Sequence, residues 1–285
     1  MIPNIRLNKP VIICICIAGL IIISIYLSSS KSYIKASYDY LSASRDSASH
    51  VSLQGLLIAS IAAAEKGGNE VKLVRQSNLL SEKSKGKTKE GANDPLTNGD
   101  LRSHKVMYYG LTAAFPGVHI ISEEHDSTAP ENVPDLKSSV PECVKGITLD
   151  DVTVPRERVT VWIDPLDATQ EYTENLLQYV TTMVCIAVDG QPVIGVIHKP
   201  FTNETGYKVL EVASGRVDAY IHTTLIKKWD ICAGNAVLNA LGGRMTTLSG
   251  GELYYGKNDP VKAEGGILAT LHGHDQYVNK FDGHL

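Results

Sequence analysis

The segment best equipped for chemistry is Trp162-Ile163-Asp164-Pro165-Leu166-Asp167-Ala168-Thr169. The residues before Asp164, VTVWI at 159–163, are apolar and β-rich, so they read as a buried strand that carries Asp164 to its end. There a carboxylate can leave the core without an uncompensated burial cost. Pro165 fixes the turn, and Asp167 returns a second carboxylate to the same side. Two such oxygen ligands repel each other unless a cation lies between them, and magnesium suits a hard oxygen set completed by water and substrate oxygens. If Ala168 and Thr169 open a helical turn, their backbone N–H groups can also cradle a phosphate. The competing reading is a plain Asx turn at a strand end.

Other acids fall where they could join this pair. Glu123-Glu124 follows a second predicted strand at 118–122, and the ends of successive parallel strands share the edge where ligands bind in α/β sheets. Asp230 stands at the start of a predicted helix at 230–241, where its simplest role is an N-cap. Asp100, at the end of NDPLTNGD, has the same simple reading.

The elements that must position these acids alternate. Apolar residues at helical spacing predict one helix, or two broken at Gly67-Gly68, between residues 51 and 80. SEKSKGKTKE at 81–90 reads as a solvated loop, and residues 101–114 as a helix. Residues 125–157 read as an excursion loop. Strands at 180–188 and 192–198 flank Asp189-Gly190, a hairpin signal. A helix at 207–213, a strand at 217–221, the helix at 230–241 and strands near 244–247 and 266–270 complete the chain. The pattern predicts a layered α/β or α+β protein with at least one antiparallel pair.

The chain has 285 residues, 43% hydrophobic and 20% charged, with a formal net charge of −4. That balance argues against a general nucleic-acid binder, which carries a basic stripe. An acidic pocket still takes an anionic substrate when bound cations reverse its field. No CxxC or Cys/His cluster is present, which argues against zinc. Beyond Cys14 and Cys16, the cysteines Cys143, Cys185 and Cys232 fit either one disulfide with a free thiol or three reduced thiols; the apolar neighbours of Cys185 and Cys232 favour buried thiols. Residues 11–27, VIICICIAGLIIISIYL, are uncharged and span roughly 26 Å as a helix. They read as an uncleaved signal-anchor rather than a cleaved signal peptide, behind a short cytosolic tail at 1–10 and ahead of a stem at 28–50. Flanking charges are too balanced to set the orientation. Asn203-Glu204-Thr205 is an N-glycosylation acceptor pattern.

Taken in order, TVWIDPLDATQEYTENLLQYVTTMVC, VIGVIHKPF and YIHTTLIKKWDICAGNAVLNALGG resemble the inositol monophosphatase superfamily, and the likeness runs from about residue 51 to 279. The resemblance implies an αβαβα sandwich across a phosphatase domain at 51–285. It implies a magnesium site built from Glu123, Asp164, Asp167, Asp230 and the carbonyl of Leu166, with Thr169 and Asp100 activating the attacking water. It places Ala168, Thr169, Gly206 and Lys208 on the substrate, and it allows a homodimer. The membrane run and Ala168, where many relatives carry glycine, match the Golgi branch. That likeness implies a single-pass type II Golgi membrane enzyme with a lumenal catalytic domain. Its expected reaction converts 3′-phosphoadenosine 5′-phosphate to AMP and phosphate. A membrane-anchored inositol monophosphatase is the alternative enzyme.

One stretch departs from the family. After His198-Lys199-Pro200-Phe201 the family continues through a hairpin, a strand, a helix and a glycine-rich turn, whereas here Thr202-Asn203-Glu204-Thr205 runs almost directly into Gly206-Tyr207-Lys208. An internal deletion between residues 205 and 206 is expected to remove part of the second sheet and to leave strand edges unpaired. An inactive truncated variant is therefore the third reading.

Overall fold

The computed structural model describes residues 49–87, 91, 93–138, 140–148, 150–202 and 208–281. The membrane run at 11–27, the stem up to residue 48, Asn203, Gly206 and the expected deletion point lie outside them. Among the described residues no helix is long and apolar enough to cross a membrane.

In chain order the elements are β1 (His50–Ser52), α1 (Leu53–Gln76), β2 (Lys83–Lys87), β3 (Asn93–Leu96), α2 (Asn98–Ala114), β4 (His119–Ser122), β5 (Thr153–Pro155), β6 (Val159–Asp167), α3 (Thr169–Thr173), β7 (Thr181–Val188) and β8 (Gln191–His198). Then follow α4 (Lys208–Ala213), β9 (Ala219–His222), β10 (Ile226–Lys227), α5 (Lys228–Ala240), β11 (Arg244–Thr246), β12 (Lys262–Ala263), β13 (Ile267–Thr270) and α6 (His274–Phe281). A compact body runs from Val51 onward.

Its centre is a four-stranded sheet in the order β4-β6-β7-β8. β4 runs parallel to β6, and β6, β7 and β8 are antiparallel neighbours. Side chains alternate across this sheet with the two-residue period of a strand. Val161, Ile163, Val184 and Ile186 face one core with Leu56, Ala59, Ala63, Met107 and Leu111 of α1 and α2. Trp162, Met183, Cys185 and Ala187 face the other, with Ile231, Cys232, Ala233 and Ala236 of α5. Behind α5, Ile267 and Ala269 of β13 belong to that second core, in a three-stranded sheet ordered β11-β13-β9. The imidazole of His274, at the start of α6, lies 2.8 Å from the Thr246 hydroxyl and 2.9 Å from that of Thr270, which seats α6 on this sheet. Helix, sheet, helix, sheet and helix thus alternate, as the layered reading expects.

Several local expectations change. Residues 53–76 form one helix through Gly67-Gly68, not two. A Cβ on Gly67 would lie 2.6 Å from Met107 and Ser103 atoms, and one on Gly68 would lie 2.6 Å from the His198 ring, so these glycines admit close neighbours rather than end the helix. The solvated loop expected at 81–90 instead carries β2, an exposed strand paired with β3 in a hairpin, with the Lys85 side chain tucked in at 21% exposure. The Asp189-Gly190 turn joins β7 to β8 with both residues at positive φ (51° and 77°), the backbone of a two-residue hairpin turn. Cys185 and Cys232 are not reduced thiols. They form a disulfide with Cα atoms 5.6 Å apart, and Cys143 is free and exposed. Apolar neighbours correctly bury both cysteines, but burial alone does not show that β7 and α5 bring them face to face.

Candidate active site

The parallel pairing of β4 and β6 sets Ser122 beside Ile163, so the next residue on each strand, Glu123 and Asp164, emerges at the same edge. The Glu123 N–H donates to the Ile163 carbonyl at 3.1 Å and extends this register by one residue. β6 continues beyond Asp164, with an irregularity between Asp164 and Asp167 in its pairing with β7. That bulge aims Asp164 and Asp167 away from the regular alternation. Ala168 then takes a left-handed conformation (φ 65°, ψ 46°), rare for a residue with a Cβ, before the short turn of α3. The turn reverses the chain at once and keeps Thr169 near the aspartates.

Asp230 arrives on α5. The helix begins two residues earlier than expected, at Lys228, so Asp230 is its third residue and not its N-cap. Its carboxylate accepts the Lys227 N–H at 3.1 Å, still serving the helix start. Glu123, Asp164 and Asp230 each present an oxygen within 4.8 Å of the others, the only such acidic group found among the described residues. Asp164 is buried, and its Oδ2 has no hydrogen-bond partner. A buried carboxylate oxygen without a partner is costly, and a divalent cation would satisfy it. Burial, then the Glu123 charge, raises the Asp164 carboxyl well above its ordinary range. Burial followed by the Asp167 charge does the same to Asp230. Asp167 is pushed up to about 7, chiefly by burial and then by Glu123. Four acids thus press on one another, and the donor set, all oxygen, fits a hard divalent cation.

Two ammonium groups reach the same acids, and sequence reasoning missed both. Lys85 Nζ on β2 donates to Glu123 Oε1 at 2.9 Å and to Glu124 Oε1 at 2.8 Å. Lys227 Nζ donates to Glu123 Oε1 at 3.2 Å. Asp94 of β3 stands 3.9 Å from Lys85 Nζ and 4.0 Å from Lys227 Nζ. Burial opposes the charge on Lys85, yet the two glutamates hold its pKa above the ordinary value. The alternation Lys83-Ser84-Lys85-Gly86-Lys87 was the one available signal, a period of two without apolar residues.

Asp100 and Thr169 come together. The Thr169 hydroxyl lies 3.0 Å from Asp100 Oδ1 and 3.1 Å from the Leu166 carbonyl. Asp100 Oδ2 accepts the Thr97 N–H at 2.8 Å and the Thr97 hydroxyl at 2.6 Å, closing a capping box at the start of α2. Asp100 is therefore the third residue of α2, whose N-cap is Thr97, and its carboxylate both closes the capping box and partners Thr169. Burial raises its carboxyl to about 6, so it remains mostly ionised at neutral pH and can accept hydrogen bonds. Lys208, at the start of α4, lies 5.8 Å from the Tyr220 ring and lowers the pKa of Asp167 by its charge, which puts it at the margin of the acids.

Comparison with known proteins identifies the family. Residues 52–208 and 204–279 match the inositol monophosphatase family, in two segments that meet at 204–208. A Rattus norvegicus protein named Golgi-resident adenosine 3′,5′-bisphosphate 3′-phosphatase is 44% identical over 291 residues, covering 81% of each chain. Inositol monophosphatase 3 of Danio rerio is 43% identical over 281 residues, covering 78% of this chain and 82% of its own. The rat alignment covers 81% of 285 residues, about 231, so about 60 of its 291 positions hold no residue of this chain. Among solved structures, extragenic suppressor protein suhB from Bartonella henselae superposes with a TM-score of 0.56 at 16% identity, covering 80% of this chain and 98% of that one. Inositol monophosphatase from Anabaena gives 0.54 at 18% identity, covering 81% and 96%. These two show the shared fold.

Proposed function

Because the chain belongs to the inositol monophosphatase family, we propose that it is a magnesium-dependent phosphomonoesterase whose substrate is the 3′-phosphate of 3′-phosphoadenosine 5′-phosphate, released as phosphate with AMP as the other product. The observation that carries the metal-dependent reaction is the convergence of Glu123, Asp164 and Asp230 around the partnerless Asp164 Oδ2. Glu123, Asp164, Asp167, Asp230 and the Leu166 carbonyl would hold the magnesium. Bound magnesium supplies a water of lowered pKa and positive charge against the phosphoryl oxygens.

The protein's own part is to orient and to accept. Asp100, anchored by Thr97, takes the proton side of the Thr169 hydroxyl, which leaves the Thr169 lone pairs to accept a hydrogen bond from the attacking water. Ala168, Thr169, Gly206 and Lys208 would contact the substrate, with Lys208 as its cationic partner.

The rat relative's name supports the nucleotide substrate and the Golgi setting. The Cys185–Cys232 disulfide supports a catalytic domain on the lumenal side, since such bonds persist in oxidising compartments. Residues 11–27 would be the single-pass type II anchor, 1–10 its cytosolic tail and 28–50 the stem. The two-part family match, and the positions without a counterpart here, support an internal deletion between residues 205 and 206.

The name of the Danio rerio relative favours a second reading, an inositol phosphatase. Phosphate release by the full chain in detergent, with and without Mg²⁺, from 3′-phosphoadenosine 5′-phosphate and from inositol monophosphates decides the matter. A higher kcat/KM for the nucleotide supports the first reading, and a preference for the inositol ester replaces it with the second. No release from either, by a folded protein, leaves the inactive variant.

A further inference from the structure

Between α2 and β4 lies a cavity of about 610 Å³, a size that takes a small molecule. His104, Tyr108 and Thr112 of α2 line it, β4 lies opposite, and residues 124–127 close one side. His104, Tyr108 and Thr112 stand four residues apart, so they form one stripe down the helix. The rings of His104 and Tyr108 stack, with centroids 5.2 Å apart and planes 17° from parallel. Tyr109 meets Tyr108 edge-on, at 5.3 Å and 88°, and the two rings make a right-angled aromatic corner. The third position of the stripe, Thr112, is small and exposed, so the ladder of rings ends at Tyr108.

The polar groups of the cavity decide what charge it takes. Its lining includes no Lys or Arg. Each of its two carboxylates is matched by a lysine outside the lining, Glu124 by Lys85 at 2.8 Å and Asp126 by Lys105 at 3.0 Å. An anion therefore meets two acids and no cation of the lining, and a cation gains little from acids that are already paired. His104 is neutral at pH 7, since burial lowers its pKa, and its ring lies 2.9 Å from the Ser122 hydroxyl. What remains is capacity to accept hydrogen bonds. A carboxylate has about four lone-pair sites, so a bond to one lysine leaves Glu124 able to accept an N–H as well. Glu124 is buried, where such a bond is stronger than in water.

We propose that this cavity binds an uncharged planar heteroaromatic ring with an N–H donor on its edge, the chemical class of adenine. The ring packs into the corner made by Tyr108 and Tyr109, where face and edge contacts are both offered. Its donor edge is directed to the carboxylates of Glu124 and Asp126. Thr112, His125 and Ser127 at the rim are exposed, which leaves room outside for a sugar attached to the ring. The cavity shares Glu124 with the ion cluster around Lys85, yet it needs neither the cation nor the reaction proposed above.

Equilibrium dialysis of the full chain in detergent against adenosine, without Mg²⁺, is the test. Saturable binding is expected. Purine riboside, which lacks only the exocyclic amine, should bind about tenfold more weakly, because a hydrogen bond to a charged acceptor is lost. Thr112→Trp changes an exposed position, and its indole takes up space in the cavity, so it should weaken adenosine about tenfold or more. Tyr108→Leu keeps an apolar side chain without the ring and should weaken it about 3- to 10-fold. Melting curves of both variants show that they are folded. Asp164→Asn should leave adenosine binding unchanged. No saturable binding by the folded wild-type chain overturns the proposal. So does purine riboside that binds as tightly as adenosine. Binding that survives Thr112→Trp and Tyr108→Leu but is lost in Asp164→Asn would place the nucleoside among the acids, which overturns it too.

Discussion

Two regions of the layered core formed by β6, β7 and α5 are built on opposite principles. At the end where β4 and β6 deliver Glu123, Asp164 and Asp167, with Asp230 from α5, carboxylates are forced together and burial raises their pKa values. Midway along the same sheet, Cys185 of β7 and Cys232 of α5 are joined covalently within an apolar cluster of Trp162, Met183, Ala233 and Ala236. Only one residue separates Asp230 from Cys232, so a single helix turn carries both an acid that the metal-free fold tolerates poorly and the bond that fastens the helix. The bond that fastens α5 thus lies beside acids whose ionisation burial opposes.

Substitutions can break this contrast from either side. The largest effect falls on activity. Asp164→Asn should lower kcat for phosphate release by about 10²–10³-fold, the scale of losing one electrostatic stabiliser. It should also raise the melting temperature of the metal-free protein, because it removes a carboxyl whose ionisation burial opposes. Loss of activity together with a lower melting temperature would show that the acid is structural.

The opposite behaviour is expected at the rear. Replacing both cysteines, Cys185→Ala with Cys232→Ala, should cost about 2–4 kcal/mol in denaturant unfolding. Activity of the folded fraction at low temperature should change little. A loss as large as that of Asp164→Asn, in protein that is still folded, would mean that the two regions do not separate.

Thr169→Val tests the water-orienting pair within the site. It should lower kcat about 10²-fold with KM and melting temperature nearly constant, and Thr169→Ser should recover most of the rate. Equal loss in the serine variant would point to packing and not to the hydroxyl.

The smallest effect is a pH dependence. The folded, metal-free protein holds protons on Asp167 up to about pH 7, and on Asp164 and Asp230 above their ordinary range, whereas the unfolded chain releases them near 3.8. Between these limits the folded state binds more protons at these acids, so their contribution to metal-free stability is full below about pH 4 and is lost as pH rises towards 7. Mg²⁺ should flatten the fall. Melting curves from pH 4 to 8, with and without the ion, read this directly, and identical curves would contradict it.

The placement of acids at the strand ends was legible because it rests on local pattern. A β-rich run ending in Asp-Pro-Leu-Asp and a second strand ending in Glu-Glu bring their acids to one edge once β4 and β6 run parallel. The Asp189-Gly190 hairpin was legible for the same reason. What escaped depends on contacts between distant segments. The β2–β3 hairpin has no apolar period to announce it, so Lys85 and its bonds to Glu123 and Glu124 were invisible. The disulfide joins residues 47 apart, and apolar neighbours suit a buried thiol and a buried bridge equally. The helix His274–Phe281 was missed because it is short and polar.

The central claim is that Glu123, Asp164, Asp167 and Asp230 together hold a divalent cation. Isothermal titration of the full chain in detergent with Mg²⁺, beside Asp164→Asn, tests it most directly. Saturable binding that the substitution weakens at least tenfold is the predicted result, and a folded wild-type protein that takes up no Mg²⁺ would contradict it.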